Sequence, residues 1–580
     1  MIDQTVSAQV RDDAPPPANP VAGRVRLEGE FKQALETGRN RLIVTGALFA
    51  LVFTVIAVRL VDVTLIGRGE PRGAHGPRDG ALETFRADIT DRNGVILATS
   101  LETASLYANP KLMQNPQEAA RKLVSVLGGD EAELAERLGA PGKSFVWVRR
   151  NLTPREQYEV NRLGIPGVDF QRDERRVYPL GPIAPHVVGF TDIDNKGLAG
   201  IERQFDEKLK SAQRAIRLSI DARVQYVLHE ELAAAVDEFH AEGAGGLALD
   251  ARTGEILAMV SLPDFDPHRP GATQPEARFN RMSLGVYEMG STFKLFTLAM
   301  ALDSGVAQLT STWDASQPIH VSRFTISDYK GQNRWLTTTE VLQYSSNIGA
   351  ARIGVAMGPT RQRDFMKRIG MLDVAALELP ESGQPIFPST WREINAMTIA
   401  FGHGLAVSPL HLVNGVAALV NGGILRPATV LKRDATQIPP GTQVIKPETS
   451  RTMRALMRMV VEKGTGRKAE IDGYRLGGKT GTAEKVSAHG GYAHKALLSS
   501  FIAAFPIEDP RYVVLVMLDE PHGTKATGFY ATGGAVAAPT VGRVAARIGP
   551  LLAVDPSERA PKQLPTTQSA RAQGAGVAAN

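Results

Sequence analysis

The segment EMGSTFKLFTLAM, residues 288–300, sets the strongest limit on how this chain can fold. After Ser291 the side chains are apolar all round a helical projection (Phe293, Leu295, Phe296, Leu298, Met300, Leu302) until the run stops at Gly305, which predicts a buried helix rather than a surface one. Lys294 is the single lysine in that run, three residues after Ser291 and two after Thr292. Burial disfavours the charged ammonium and can lower a lysine pKa by about 3–5 units, and a neutral amine is a base. Positions i and i+3 share a helix face, so Lys294 is expected beside the Ser291 hydroxyl, close enough to accept its proton. Ser291 follows Gly290 and would open the helix, where unpaired backbone N–H groups favour a developing oxyanion. Taken alone, the Ser-x-x-Lys spacing equally fits an N-cap serine followed by a lysine that extends to solvent.

The rest of the chain narrows the choice. Its 580 residues suggest roughly three or four domains at about 150 residues each. With 43% hydrophobic and 22% charged residues, most of it is globular in composition. The 66 basic and 61 acidic residues are scattered with no dense basic block, which argues against nucleic-acid binding. Cysteine is absent, excluding disulfides, cysteine-bound zinc and thiol nucleophiles. The 11 histidines are dispersed, and the nearest pair, His489 and His494, sits in a Gly-rich stretch read as a loop rather than a metal site.

From Leu42 to Val58 the chain carries no charge, with Arg39 and Arg41 before the run and Arg59 after it. That length is near the lower limit for a bilayer span, extended by a snorkelling Arg59. No small-x-small cleavage site follows, so an uncleaved anchor over 42–60 is favoured over a signal peptide or a core helix. Residues 24–41 carry five Lys/Arg and residues 59–78 carry four, a slight bias toward a cytoplasmic N-terminus. The tail 1–41, with DDAPPPANP, and the end 551–580 are polar and Pro-rich and are expected to be largely disordered. Residues 61–213 alternate short strands and helices, with an Asn93-Gly94 hairpin signal and an amphipathic helix in PQEAARKLVSVLGG, and they read as a scaffold domain. Residues 214–550 begin with a long helix capped by Ser219 or Asp221, then two strands around Gly254. Two more strands, LLSSFIAAF and RYVVLVMLD, come near the end, an α+β layout with an antiparallel sheet built from distant segments.

Two further motifs carry chemistry. In TTTEVLQYSSNIGAARIG, Thr337 and Glu340 form a capping box, and the helix breaks at Ser345-Ser346-Asn347, placing a hydroxyl and a carboxamide two residues apart. In LGGKTGTAEKV, Lys479, Thr480, Gly481 and Thr482 follow two glycines and lead toward a strand. There Gly481 would permit close approach of a ligand, with a cationic, donor-rich rim suited to a carboxylate. A phosphate loop is the competing idea, but its full glycine pattern is missing.

Ser-x-x-Lys (Ser291 to Lys294), Ser-x-Asn (Ser345 to Asn347) and Lys-Thr-Gly (Lys479 to Gly481), in this order and with GTG at 464–466 and NGG at 421–423, resemble the signatures of penicillin-binding proteins and serine β-lactamases. RADITDRNGVILA (86–98), RRVYPLGPIAPHVVGFTD (175–192) and GLAGIERQFDEKL (197–209) resemble the N-terminal pedestal, or dimerisation domain, of class B penicillin-binding proteins, so the similarity covers about residues 80–550. No room or motif exists for a class A glycosyltransferase domain. The YEMGSTFK context is most similar to the division-septum branch, the penicillin-binding protein 3 type; Met289 and Ala87 replace the proline and glycine of many relatives.

The resemblance implies a transpeptidase domain of penicillin-binding, serine β-lactamase-like fold on a pedestal behind one transmembrane helix. It implies a D,D-transpeptidase that cross-links the D-Ala-D-Ala stem peptides of septal peptidoglycan through a serine acyl-enzyme and is inhibited by β-lactams. Ser291 would be the nucleophile, Lys294 the acylation base, and Ser345 and Lys479 proton carriers. Asn347, Thr480, Gly481 and Thr482 would bind substrate, with the N–H groups of Ser291 and Thr482 as oxyanion hole. No metal or cofactor is implied. The expected partners are a polytopic septal glycosyltransferase and other division proteins. The expected location is the cytoplasmic membrane at the septum, single-pass, with the N-terminus cytoplasmic and the catalytic domain periplasmic. An elongation-type enzyme, a β-lactamase or penicillin sensor, and a non-catalytic scaffold are the alternatives.

Overall fold

The computed structural model describes residues 43–57, 85–211, 214–321, 324–486 and 492–556. The chain divides into two compact units, residues 1–82 and 83–580. Within the first, residues 43–57 form a helix whose apolar side chains, Phe53 and Val44 among them, are exposed. At 1.5 Å per residue it is about 22 Å long against a hydrocarbon core of about 30 Å. No helix among the described residues is long and apolar enough to cross a membrane. The two tails expected to be disordered, apart from residues 551–556, lie outside the described residues, as does His489.

The second unit begins with the pedestal. Strands β1 (Ile89–Thr90) and β2 (Ile96–Ala108) flank the expected Asn-Gly turn. Asp91 shapes that turn by accepting from the N–H groups of Asn93 and Val95 at 2.7 and 2.8 Å, while Gly94 supplies φ +91°. Helix α1 (Pro116–Leu127) is capped by Asn115 and ends at Gly128 with φ +69°. Its buried face, Ala119, Ala120, Leu123 and Leu127, joins Leu106 and Ala108 of β2 in a small core. Strands β3 (Val146–Leu152) and β4 (Val168–Val177) pair with opposite sides of β2, and β5 (Ile216–Arg217) pairs with β1. At the centre of the pedestal a buried ion cluster ties three sequence segments together. Glu202 accepts from Arg86 Nε at 2.6 Å and from Arg176 Nε at 2.7 Å, and Arg86 also reaches Asp206 at 2.7 Å.

Pedestal and catalytic part meet through polar clamps. Asn93 Nδ2 donates to Asp221 at 3.0 Å, the Ala222 N–H donates to Asp91 at 3.0 Å, and Gln225 Nε2 donates to the Ile183 carbonyl at 2.8 Å. Helix α2 (Ala222–Phe239) starts at Asp221, as the cap chemistry predicts, and leads into β6 (Gly243–Asp250) and β7 (Ile256–Leu262). The nucleophile helix α3 (Lys294–Asp303), the short α4 (Thr338–Gln343) and α5 (Asn347–Met357) follow. Near the end come β8 (Gly477–Val486), β9 (Tyr492–Phe505), β10 (Tyr512–Asp519) and helix α6 (Gly533–Leu551). The antiparallel sheet runs β8-β9-β10-β6-β7, so its early and late strands pair in the middle, with Tyr512 opposite Asp250.

Strands β6, β7 and β10 are buried at every position. Alternate residues point to opposite faces, and both faces are covered. Leu247, Leu249, Val513, Leu515 and Met517 enter the core shared with α3 and α5; Ala244, Ala248, Val514, Val516 and Leu518 enter the core shared with α2 and α6. This leaves β8 as one edge of the sheet, alongside the turn that carries Ser291.

Candidate active site

Ser291 lies in a tight 3-10 turn, Gly290–Phe293, which runs directly into α3. Gly290 has φ +54°, and a Cβ there would sit 2.8 Å from the Thr482 carbonyl oxygen, so only glycine lets the turn press against β8. Its N–H donates to the Gly402 carbonyl at 3.2 Å, fixing the other side of the turn. Gly481 completes the approach. A Cβ on it would collide with Ser500 and come within 2.9 Å of the Met289 carbonyl, so its smallness serves the packing of β8 on the Ser291 turn.

Lys294 is fully buried while Ser291 is partly exposed. The amine is 2.8 Å from Ser291 Oγ, 2.7 Å from the Ser345 carbonyl, 2.7 Å from Asn347 Oδ1 and 3.2 Å from Ser345 Oγ. Every partner is uncharged. Burial pushes this amine down to about 7, against a smaller opposing pull from the Asp328 carboxylate. The partners also settle where a neutral amine's lone pair points. The Ser345 carbonyl and Asn347 Oδ1 can only accept, and Asn347 is oriented by donating Nδ2 to the Ser327 carbonyl at 2.9 Å. With both N–H groups engaged there, the lone pair is left for a hydroxyl proton, and the Ser291 hydroxyl at 2.8 Å is nearer than that of Ser345 at 3.2 Å.

Ser345 sits between two amines. Its Oγ stands 3.2 Å from Lys294 Nζ and accepts from Lys479 Nζ at 2.9 Å. Its backbone is left-handed, φ +58°, a conformation a non-glycine residue adopts against a steric penalty; the break between α4 and α5 that sequence located is therefore a strained corner. Lys479 is also fully buried, donating to the Thr480 carbonyl at 3.0 Å and Thr480 Oγ1 at 3.2 Å. Burial, reinforced by the neighbouring Lys294, holds it well below an ordinary lysine. The rim is donor-rich, and its lysine holds a proton less tightly than an exposed one. The Lys479–Thr482 motif lies inside the edge strand, not ahead of it. Thr480 Oγ1 meets Thr465 Oγ1 at 2.9 Å, which gives the GTG stretch its place, and Thr482 Oγ1 accepts from the Gly533 N–H at 3.0 Å, leaving its own proton to donate.

Sequence reading missed Asp328. Its carboxylate accepts from Ser346 Oγ at 2.7 Å and from the N–H groups of Asn347 and Ile348, capping α5 and holding the Ser-x-Asn corner. Nothing in its loop, ISDYKG, marks it. His403, half-buried and next to the Gly402 that packs on Gly290, was also missed; Glu288, Lys294 and Glu484 act on it electrostatically.

Comparison with known proteins agrees with this geometry. Residues 244–546 match the penicillin binding protein transpeptidase domain, and residues 82–235 match the penicillin-binding protein dimerisation domain. The chain is 39% identical over 547 residues to the probable peptidoglycan D,D-transpeptidase FtsI of Caulobacter vibrioides, covering 91% of this chain and 92% of that protein. It is 31% identical over 544 residues to peptidoglycan D,D-transpeptidase FtsI of Escherichia coli K12, covering 87% and 90%. The apo TP domain of Burkholderia pseudomallei penicillin-binding protein 3 superposes with a TM-score of 0.53 at 33% identity, over 59% of this chain and 98% of that one. Two matched domains, two long relatives and the three motifs gathered at one buried amine lead to one assignment: the chain belongs to the class B penicillin-binding proteins of the FtsI type.

Proposed function

We propose that the chain is a peptidoglycan D,D-transpeptidase of cell division, and that the Lys294 Nζ to Ser291 Oγ contact at 2.8 Å, with burial lowering the amine to about 7, carries the chemistry. Ser291 Oγ attacks the carbonyl carbon of the penultimate D-alanine in a D-Ala-D-Ala stem peptide, passing its proton to Lys294. The N–H groups of Ser291 and Thr482 receive the oxyanion. As the tetrahedral adduct collapses, a proton travels through Ser345 and Lys479 to the departing amine, and D-alanine leaves. An amine on a neighbouring stem then attacks the ester, forms the cross-link and returns the proton to Ser291. Thr480 and Thr482 hydroxyls hold the substrate carboxylate, whose arrival raises Lys479's affinity for a proton. Asn347 holds the peptide amide, and Gly481 keeps β8 against the nucleophile turn. β-Lactams acylate the same serine.

The pedestal over 61–213 would carry contacts to a polytopic septal glycosyltransferase and other division proteins, and the transpeptidase domain would span 214–550. The apolar run 42–60 would anchor the chain once in the cytoplasmic membrane, N-terminus inside and catalytic part outside, where its substrate polymer is assembled. The FtsI names of its relatives favour the septum over side-wall elongation. A fluorescent penicillin should label the native protein covalently and leave Ser291→Ala unlabelled; labelling that persists in the variant would refute the assignment. A fluorescent fusion spread along the side wall instead of gathering at midcell would move it to elongation.

A further inference from the structure

Edge strand β8 does not stop mattering at Thr482. It is paired along one side by β9, with Thr482 opposite Ser499 and Glu484 opposite Leu497. Alternate residues of a strand share a face, so Thr480, Thr482 and Glu484 form one row, about 6.7 Å between successive members. Glu484 is exposed. The cation next to it in sequence is directed elsewhere, since Lys485 Nζ is held by Asp519 at 2.9 Å and Glu520 at 2.6 Å. Beyond the strand stand Glu288, which accepts from the Gly404 N–H at 2.7 Å, and His403. Burial, with Lys294 acting in the same direction, holds the His403 imidazole below its ordinary value in spite of the pull from Glu288 and Glu484.

This row has a direction relative to the reaction proposed above, on which the following step rests. A donor peptide added to the sheet edge is extended and lies along β8. With its terminal carboxylate at Thr480 and its scissile carbonyl at Thr482, it runs antiparallel to the strand. The residue before D-Ala-D-Ala then falls toward Glu484, one residue rise of about 3.4 Å past the reacting carbonyl, within reach of a long side chain. We infer that Glu484 is a specificity-determining residue that reads this side chain in the donor peptide and favours one ending in an ammonium group. The chemistry gives the preference a use. The reaction consumes an amine on a neighbouring stem of the same polymer, so a donor with its own amine still free differs in charge from one already acylated by an earlier cross-link. Glu484 would favour the free one.

The test uses the full chain and two peptides ending in Lys-D-Ala-D-Ala, one with a free side-chain amine and one Nε-acetylated. Each is titrated as a competitor against acylation of Ser291 by a fluorescent penicillin, whose end-point also measures the competent fraction of every preparation. The native protein should be half-protected by about fivefold less of the free-amine peptide, an effect of the size expected for one partly exposed ion pair. Glu484→Gln should equalise the two peptides, and Glu484→Lys should reverse their order. Equal protection by both peptides in the native protein, or a free-amine preference that survives Glu484→Gln, overturns the inference. Failure of penicillin to label the native protein would instead overturn the proposed function, and the inference with it.

Discussion

Two sites in this protein bury cations and treat them in opposite ways. In the pedestal, Arg86 and Arg176 are enclosed, but each meets the fully buried Glu202 at 2.6 and 2.7 Å. In the catalytic part, Lys294 is equally enclosed, but every group in contact with it is neutral. A guanidinium keeps its proton in any protein environment and so requires a carboxylate partner when buried, whereas an amine without one can shed its charge. Burial alone therefore makes no base; burial without a contacting anion does. Asp328, the anion whose field raises Lys294, contacts Ser346 and the start of α5 instead of the amine.

The contrast breaks most sharply if the lysine is given the arginine's chemistry. Lys294→Arg should fold yet acylate with penicillin roughly 10³-fold more slowly, about 4 kcal/mol in barrier, because a guanidinium cannot take the serine proton. Stopped-flow acylation checks it, and a rate within tenfold of native would remove Lys294 from the role of base. Next in size is Glu202→Gln, which strips the anion from the two arginines. Leaving buried charge unmatched should cost about 3 kcal/mol of folding stability, read from the urea midpoint, while protein that remains folded still labels with penicillin. A midpoint unchanged from native would mean the cluster is not held by its charge.

The smallest effect sharpens the comparison. Acylation by a non-titrating penicillin should be flat above about pH 8 and fall as pH drops through about 7, since Lys294 is reactive only without its proton. Asp328 is the group that pulls this amine upward, so Asp328→Asn should move the inflection to lower pH, by less than about one unit. Because asparagine retains an oxygen for the Asn347 and Ile348 N–H groups, the corner should persist. An upward shift would reverse the assigned sign.

The parts legible in the sequence were those written in local pattern. The apolar runs of β9 and β10, the Asn93-Gly94 turn, the Thr337–Glu340 capping box and the Asp221 cap all depend on neighbours within a few residues, and all are present. Ser291 and Lys294 were legible for the same reason, one helical turn apart. What escaped depends on approach between distant segments. Asp328 reaches α5 from a separate loop, Gly481 is small because Met289 and Ser500 press on it, and Lys479 is held below an ordinary lysine by burial among distant segments and by the neighbouring Lys294. None of these neighbours is encoded in spacing.

The sheet's central pairing, Tyr512 with Asp250 and onward to Asp519 with Gly243, joins strands made early to strands made late. Such long-range closure slows folding, and it withholds edge strand β8 until almost the whole chain has emerged. A product truncated before β10 would carry Ser291, Lys294 and β8 without the strand that joins β8 and β9 to the rest of the sheet. Incomplete chains should therefore be silent toward the cell wall, so that synthesis itself delays cross-linking until the molecule is whole.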